Sequence, residues 1–280
     1  MQNFFFFFSF FLFTQVKGQI TVPEQMLCSS VLIEGIKVKG SAIFMQDSSY
    51  MYLITAKHVL FSSSLPTNLI ADSIKLTFYP HDVVYDEPAV IDFDLKKAWK
   101  KNCIKIDSLN DICVIKVASI ESTKDSYYDV KYFDFIMKSR STMVNAWPLS
   151  ECCNFENVSL GGDVFLFGYP NSNSFHSSLY DYSRPLLRRG TISGKYPKLK
   201  TIILDCSAYI GNSGGPVFGF NPLNGNICFI GVIADYIMYT DRKVNSLGYN
   251  SIQDSNSNYS IVVSIEFAEK LIKTFTTEHH

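Results

Sequence analysis

The sequence has almost no net charge. Its 280 residues carry 25 Lys and Arg against 26 Asp and Glu, a formal net charge of -1 at pH 7. Proteins that bind nucleic acid present an excess of basic residues to the phosphates, and the overall balance here gives no such support. We therefore expect no nucleic-acid partner.

Motifs for metals and nucleotides are also missing. The sequence contains no Cys-x-x-Cys pair and no His-Glu-x-x-His segment, and no glycine-rich loop is followed by Lys and then Ser or Thr. These are the patterns that build zinc sites and phosphate-binding loops. We expect no metal and no cofactor.

Apolar runs of membrane length are missing as well. The run Phe4–Phe13 is too short for a membrane-spanning helix of about 20 residues, but it has the length of the apolar core of a secretory signal. Val16 and Gly18 offer small side chains for cleavage before Gln19, although no Lys or Arg precedes the run. We expect residues 1–18 to be a signal peptide and the protein to be exported, to a periplasm or the medium, without a stable membrane span. A buried strand and an uncleaved anchor are the alternatives.

The seven cysteines leave at least one thiol unpaired within the chain, because their number is odd. An exported protein can form one or two disulfides, whereas the alternative is a set of mostly buried thiols. The sequence leaves the pairing open.

Most of the remaining chain has the pattern of short strands. Segments rich in Val, Ile, Phe and Tyr alternate with clusters of turn-forming residues, which is typical of sandwiches and barrels. Only Ile265–Phe275 has helical spacing. The predicted strands are Val31–Val38, Ser41–Phe44, Met51–Thr55, Ser73–Tyr79, Ala89–Phe93, Ile112–Val117, Asp163–Phe167, Thr191–Ser193, Thr201–Leu204, Pro216–Phe218, Cys228–Ala234 and Ser260–Val263.

Two longer segments have no strand pattern. Residues 141–158 are expected to link two halves of the chain, and residues 170–184 are polar and aromatic. Long ordered loops in compact domains are often walls or lids of functional sites. The sequence leaves open whether residues 170–184 cover a cleft.

The segment GNSGGPVF raises the question of a nucleophile, because it places Ser213 among three glycines and a proline. Glycines permit positive φ and close backbone approach, and successive N–H groups in such a turn form an anion nest. A serine becomes nucleophilic when a base lies in hydrogen-bond reach and a third group orients that base. A glycine-rich hairpin is the alternative, and it gives no reason for this order of residues.

The candidate base is His58, which follows the buried-looking strand in YLITAKHVLF. The other histidines lie in a proline turn, in the polar loop and at the end of the chain: His81, His176, His279 and His280. The candidate carboxylate is Asp111, which immediately precedes the apolar strand in NDICVIKV. An orienting aspartate must be partly buried beside the imidazole, and a strand start supplies that environment. Asp107 and Asp205 are weaker alternatives.

The segments TAKH, DICVIKV and GNSGGPVF occur in the order His, Asp, Ser, which is the chymotrypsin-type order. Together they resemble the trypsin-like (chymotrypsin-fold) serine peptidases, and most closely the bacterial HtrA/DegP-like branch. Four further segments are similar to that branch: Gly40–Phe44, Gly161–Pro170, Gly190–Ser193 and Ser260–Phe275.

The resemblance implies an all-β fold of two packed, six-stranded-type antiparallel barrels with a C-terminal helix, spanning residues 19–276. The N-terminal barrel is expected at about 28–140, the C-terminal barrel at about 155–264 and the helix at about 265–275. No PDZ domain is expected after the helix.

The resemblance also implies the roles of the site residues. Ser213 would attack the peptide bond of a polypeptide substrate and form an acyl-enzyme, His58 would act as base and then acid, and Asp111 would hold the imidazole. The N–H groups of Gly211 and Ser213 would form the oxyanion hole. Asn212 replaces the aspartate that pairs with a newly cut N-terminus in animal trypsins, so we expect activity without that cleavage.

Specificity is expected to differ from that of trypsin. Ser207 occupies the position of the aspartate that selects Lys or Arg, so an uncharged, small-to-medium P1 residue is expected. The predicted substrate pocket consists of Ser207, Ala208, Ala234, Asp235 and Tyr236. The alternatives are a catalytically silent peptide-binding protein of the same fold and a β protein in which the motifs coincide by chance. The oligomeric state is left open.

Overall fold

The computed structural model describes residues 22–63, 67–122, 128–138, 144–170, 178–244 and 250–277. The predicted signal peptide, residues 1–18, lies outside this part of the chain, and so does His176. The strands are β1 Ser30–Gly35, β2 Val38–Gln46, β3 Tyr50–Thr55, β4 Ser73–Phe78, β5 Ala89–Asp94, β6 Ile104–Ile106, β7 Cys113–Ser122, β8 Tyr128–Tyr132, β9 Ile136–Lys138, β10 Trp147–Pro148, β11 Asp163–Gly168, β12 Leu186–Tyr196, β13 Thr201–Asp205, β14 Pro216–Phe220, β15 Ile227–Val244 and β16 Asn250–Ser264. The α-helices are α1 Lys57–Leu60, α2 Leu95–Lys100 and α3 Glu266–Thr277, and 3-10 turns occupy Glu24–Ser29, Leu149–Glu151 and Phe155–Asn157.

The N-terminal half is a 10-stranded sheet in the order β6-β7-β3-β2-β1-β4-β5-β9, with β8 added to β7 and β10 to β2. Every pairing is antiparallel except that of β10 with β2. Alternating apolar side chains of these strands fill one core, which includes Phe44, Leu53 and Phe93. This half is therefore an open half-barrel.

The C-terminal half is a closed barrel of six strands in the order β11-β12-β13-β16-β15-β14, and the pairing of β11 with β14 completes the circle. Its core includes Leu166, Ile202 and Val217. A disulfide between Cys153 and Cys228 ties the segment before β11 to β15. The all-β, chymotrypsin-like fold expected from the sequence is confirmed, with one closed barrel and one half-barrel.

A third apolar core joins the halves. Ile43 and Ile54 of the first half contact a cluster that includes Phe167 and Phe218 of the barrel, and α3 packs onto it through Ile272. The predicted helix Ile265–Phe275 is present, and it extends to Thr277. The helix thus returns from the barrel to cover the N-terminal half.

Several predicted strand boundaries were wrong. Val31–Val38 is split by a turn at residues 36–37, where Lys37 has φ 66, so β1 and β2 form a hairpin. The strands predicted at Cys228–Ala234 and Ser260–Val263 extend into the long hairpin of β15 and β16, which pairs as far as Val244 with Asn250. The extension carries many polar side chains, so its backbone pairing had no apolar alternation to reveal it.

Candidate active site

The candidate histidine and aspartate meet because two neighbouring strands end at the same edge of the sheet. β3 and β7 are antiparallel, with Thr55 opposite Cys113. His58 follows Thr55 in the short helix α1, and Asp111 lies just before Cys113. A strand end and a strand start therefore place the two side chains side by side.

Two contacts join His58 to Asp111. The carboxylate Oδ2 lies 2.5 Å from His58 Nδ1, and Oδ1 accepts a 2.9 Å hydrogen bond from the backbone N–H of His58. The side chains of His58 and Asp111 are 44% and 28% exposed, so the pair lies at the surface of a cleft rather than in the core. Because Nδ1 is engaged, Nε2 is the ring nitrogen left for proton transfer.

The charges around the ring favour its protonated form. Burial lowers the pKa of His58, but the hydrogen bond to Asp111 and the charges of Asp111 and Asp235 outweigh burial, so the pKa is raised above its ordinary value. An imidazole in this setting accepts a proton more readily than a free one, as a general base must.

Ser213 lies in a turn that only glycines permit. Gly211 and Gly214 have φ values of +97 and +79, a region that side chains rarely adopt. A Cβ at Gly214 would lie 2.2 Å from both the carbonyl oxygen of Ser41 and Oγ1 of Thr55. The turn is therefore pressed against β2 and β3 of the other half.

The same turn presents two backbone donors. Among the described residues, the N–H groups of Gly211 and Ser213 have no hydrogen-bond acceptor, whereas those of Asn212, Gly214 and Gly215 all donate to backbone carbonyls. Two free N–H groups beside a serine are the arrangement that stabilises a developing oxyanion.

Ser41 of β2 fixes this turn from the opposite half. Its hydroxyl donates to the Gly211 carbonyl at 2.7 Å and accepts from the Tyr169 N–H at 3.0 Å, and its own N–H donates to the Ser213 carbonyl at 2.8 Å. Ser41 is fully buried, so these bonds are shielded from water. The carbonyl of Gly211 is thereby occupied, and its peptide plane is held in place.

One cavity of about 940 Å³ collects these groups, since His58, Asp111, Gly211 and Ser213 all line it. This volume falls in the range of ligand-binding clefts, roughly 300–1,000 Å³. In the part of the chain that the structure describes, no hydrogen bond joins the Ser213 hydroxyl to His58. Catalytic hydrogen bonds are often long before substrate binds.

The sequence also matches a known protein family. Residues 40–226 match the trypsin-like peptidase domain, a range that includes the three candidate residues and most of the chain. The chain belongs to the trypsin-like peptidase family. It is therefore a peptidase domain by descent, and its substrates are polypeptides.

Solved structures of similar shape include Deg5, with 18% identity and a TM-score of 0.45 over 75% of this chain and 80% of that chain. Another is Rv3671c from M. tuberculosis, with 12% identity and a TM-score of 0.43 over 91% of this chain and 89% of that chain. No curated protein matches the sequence.

The predicted substrate pocket of the peptidase is assembled only in part. Ala234, Asp235 and Tyr236 line the same cavity as Ser213. Ser207 and Ala208 do not line it. Both are instead hydrogen-bonded to two asparagines of β16.

The two asparagines are Asn256 and Asn258, and each bonds one of these residues. Ser207 Oγ donates to Asn258 Oδ1 at 2.8 Å, and Asn256 Nδ2 donates to the Ala208 carbonyl at 2.6 Å. Asn256 also accepts from the Asn258 N–H at 2.8 Å, which ties the pair together. Sequence reasoning missed both residues, because β16 was predicted to begin only at Ser260.

The cleft of the peptidase also has an apolar wall that sequence reasoning did not include. Its members come from the β12–β13 hairpin, the segment before the serine and β16: Leu199, Ile203, Ile210, Ile261 and Val263. The sequence shows alternating apolar side chains in β13 and β16. Which face of each strand borders the cleft is decided only when the barrel closes. The charged side chains of Lys39 and Asp235 line the same cleft.

The weaker sequence candidates lie apart from the His58–Asp111 pair. Asp107 Oδ1 accepts from the N–H groups of Leu109 and Asn110, both at 2.8 Å, and so shapes the loop before Asp111. Asp205 is exposed on β13, and His81 is exposed beside a turn that Asp86 closes.

The described part of the loop 170–184 packs on the N-terminal half. The Ser183 hydroxyl lies 3.0 Å from the hydroxyl of Tyr79, and Arg184 donates to the carbonyl of Val83. Residues 178–184 contribute nothing to the lining of the cleft. Residues 171–177 lie outside the described part.

The described ranges contain no cluster of three His, Cys, Asp or Glu side chains fit to hold a metal ion. Nor is any helix that they form long and apolar enough to cross a bilayer.

Proposed function

We propose that this peptidase is a serine endopeptidase that cleaves polypeptides through an acyl-enzyme formed on Ser213. The observation that carries the proposal is the arrangement in one cleft of the Asp111–His58 pair, Ser213 and two free backbone donors. Each part is needed for acyl transfer: a base, a group that orients the base, a nucleophile and an oxyanion hole.

In the proposed reaction, His58 Nε2 takes the proton of the Ser213 hydroxyl as Oγ attacks the scissile carbonyl carbon. The N–H groups of Gly211 and Ser213 bind the resulting oxyanion. His58 then protonates the leaving amine, and the acyl-enzyme forms as the C–N bond breaks. Water, deprotonated by His58, hydrolyses the ester and restores Ser213.

Activity without trypsin-type zymogen cleavage is part of the proposal. The side chain of Asn212 is almost fully buried, and its Oδ1 accepts a 3.0 Å hydrogen bond from the Tyr209 N–H. The residue thus stabilises the turn from within, with an uncharged group. A new N-terminal ammonium has no carboxylate to pair with at this position.

We further propose an uncharged, small-to-medium P1 side chain. Ser207 is bonded to Asn258, so the base of the predicted pocket carries two polar, uncharged groups. The wall formed by Ile203, Ile210 and Ile261 favours apolar substrate side chains near the serine.

Export is the proposed location. The apolar run at the N-terminus has the length of a secretory signal, and the Cys153–Cys228 disulfide is of the kind that persists in oxidising compartments. The location is tested by sequencing the N-terminus of the natural protein, which should begin at Gln19.

The function is tested by incubating the chain from residue 19 with an unfolded carboxymethylated protein and identifying new N-termini by mass spectrometry. We expect cleavage, and a fall in kcat/KM of about 10⁴-fold or more for Ser213→Ala, His58→Ala and Asp111→Asn. Ser73→Ala, an exposed serine on β4, is the control and should cleave normally.

A folded wild-type chain that binds the unfolded protein without cleaving it would favour the silent peptide-binding alternative. Cleavage retained by Ser213→Ala would place the nucleophile elsewhere and overturn the proposal.

A further inference from the structure

A second cavity, of about 630 Å³, lies in the N-terminal half where α3 covers β7. It shares no lining residue with the active-site cleft. Its walls combine polar side chains with four aromatic ones, those of Tyr50, Phe133, Phe135 and Phe275. The volume is again that of a small-molecule site.

Lys116 on β7 gives this cavity its unusual feature. Only 8% of the residue is exposed, yet its side chain carries an ammonium. Nζ lies 4.6 Å from the centre of the Tyr50 ring and 5.1 Å from that of Phe275. Among the described residues, no carboxylate lies within ion-pair distance of Nζ.

The stem of Lys116 is buried, whereas Nζ stays accessible from the cavity, where it contacts aromatic faces but has no counter-charge among the described residues. The nearby charges do not supply the missing anion. Asp134 is already held by Lys101, with both carboxylate oxygens at 2.7 Å from Nζ. Lys105 approaches the Phe275 ring as well, at 5.7 Å, so the cavity has a net positive surrounding.

The lysines around the cavity also act on Cys103. Burial and, to a smaller extent, the charge of Asp134 raise the pKa of its thiol, while the charges of Lys116, Lys101 and Lys105 oppose that rise. The thiol is only partly buried, and it lines the cavity together with the polar side chains of Asn102 and Ser119.

We propose that this cavity binds a small organic anion, a carboxylate attached to an aromatic or other apolar group. The carboxylate would pair with Lys116 Nζ, and the apolar group would pack among Phe133, Phe135 and Phe275. An ammonium beside several aromatic rings favours this chemistry, because an uncharged ligand leaves the ammonium unpaired and a fully polar anion leaves the rings unpacked.

The test uses the full chain with 3-phenylpropionate and its amide, which has the same shape and no charge. Isothermal titration calorimetry should show binding of the acid and at least about 10-fold weaker binding of the amide. Lys116→Met removes the charge at nearly constant volume and should weaken binding of the acid to the level of the amide. Lys75→Met, an exposed lysine on β4, is the matched control and should bind the acid normally.

A second readout requires no variant. The acid should slow alkylation of Cys103 by iodoacetamide, measured on the Cys103 peptide, and leave alkylation of the partly exposed Cys152 unchanged. Equal affinity for acid and amide, or an unprotected Cys103, would overturn the proposal. Lys116 would then have only a packing role, with its side chain covering the rings of Tyr50 and Phe275.

Discussion

The two halves of the molecule contribute to the active site in different ways. The N-terminal half brings His58 and Asp111 together within one sheet, at the paired ends of β3 and β7. The C-terminal barrel supplies Ser213 from a glycine turn that is held by Ser41 of the other half. The acid–base pair is therefore local, whereas the nucleophile depends on the contact between halves.

Because of this difference, some substitutions should change stability alone, and others should change both stability and activity. A change inside one half alters the free energy of unfolding without moving the serine relative to the histidine. A change at the contact between β2 and the glycine turn alters both. Substitutions of both kinds therefore test this distinction.

The largest effect is expected for Gly214→Ala. The new Cβ would meet the Ser41 carbonyl and Thr55 Oγ1 at 2.2 Å, at a φ of +79. We expect the free energy of unfolding to fall by at least about 3 kcal/mol and activity to be lost. Urea unfolding and peptide cleavage measure the two effects.

The matched control for this substitution is Gly225→Ala. Gly225 has a similar φ of +73, but no atom lies within 4 Å of the added Cβ. The backbone penalty alone is about 1–2 kcal/mol, and activity should be unchanged. Equal losses in the two variants would contradict the proposed contact between halves.

The disulfide between Cys153 and Cys228 tests stability inside the C-terminal half. It closes a separation of 75 residues, and replacing both cysteines with serine should lower the free energy of unfolding by about 2–4 kcal/mol. The folded variant should keep its kcat/KM, because neither residue lines the cleft. Cys152→Ser is the control, and a loss of kcat/KM without unfolding would contradict the separation.

Ser41→Ala should lower activity more than its effect on stability suggests. The substitution removes the hydroxyl that is bonded to Gly211 and Tyr169, which costs about 1–3 kcal/mol of stability. Without the bond to its carbonyl, Gly211 is held less firmly in the turn that presents the oxyanion donors. Ser29→Ala also removes a buried hydroxyl, bonded to the Met26 carbonyl at 2.7 Å, but away from the cleft. Thermal unfolding beside kcat/KM should show similar destabilisation and a selective loss of activity in Ser41→Ala.

The smallest effect is expected for Asp235→Asn. The charge of Asp235 contributes to the raised pKa of His58, so its removal lowers that pKa. His58 must be neutral to accept the serine proton, so kcat/KM rises with pH through this pKa. The midpoint should therefore move to lower pH in Asp235→Asn and stay in place in Asp92→Asn, an exposed control on β5. A shift to higher pH would show that Asp235 does not act through its charge.

The sequence was sufficient for the fold class and the family, because GNSGGPVF, TAKH and DICVIKV are local patterns with specific chemistry. The same patterns predicted which residues would meet in one cleft. The catalytic roles of His58, Asp111 and Ser213 stay predictions until activity is measured.

The sequence did not predict the contacts between residues that are far apart along the chain. Ser41 stands in an ordinary strand, and its bonds to Gly211 and Ser213 arise only when the halves pack. The hydrogen bond between Ser207 and Asn258 likewise depends on the pairing of β15 with β16. Local propensity carries no information about such partners at large sequence separation.

The most direct test of the account is reaction of the chain from residue 19 with a fluorophosphonate probe, followed by mapping of the adduct by mass spectrometry. The account predicts one adduct, on Ser213, which is absent from His58→Ala and strongly slowed in Asp111→Asn. A folded protein that forms no adduct, or forms one on another residue, would contradict the assignment of Ser213 as an activated nucleophile.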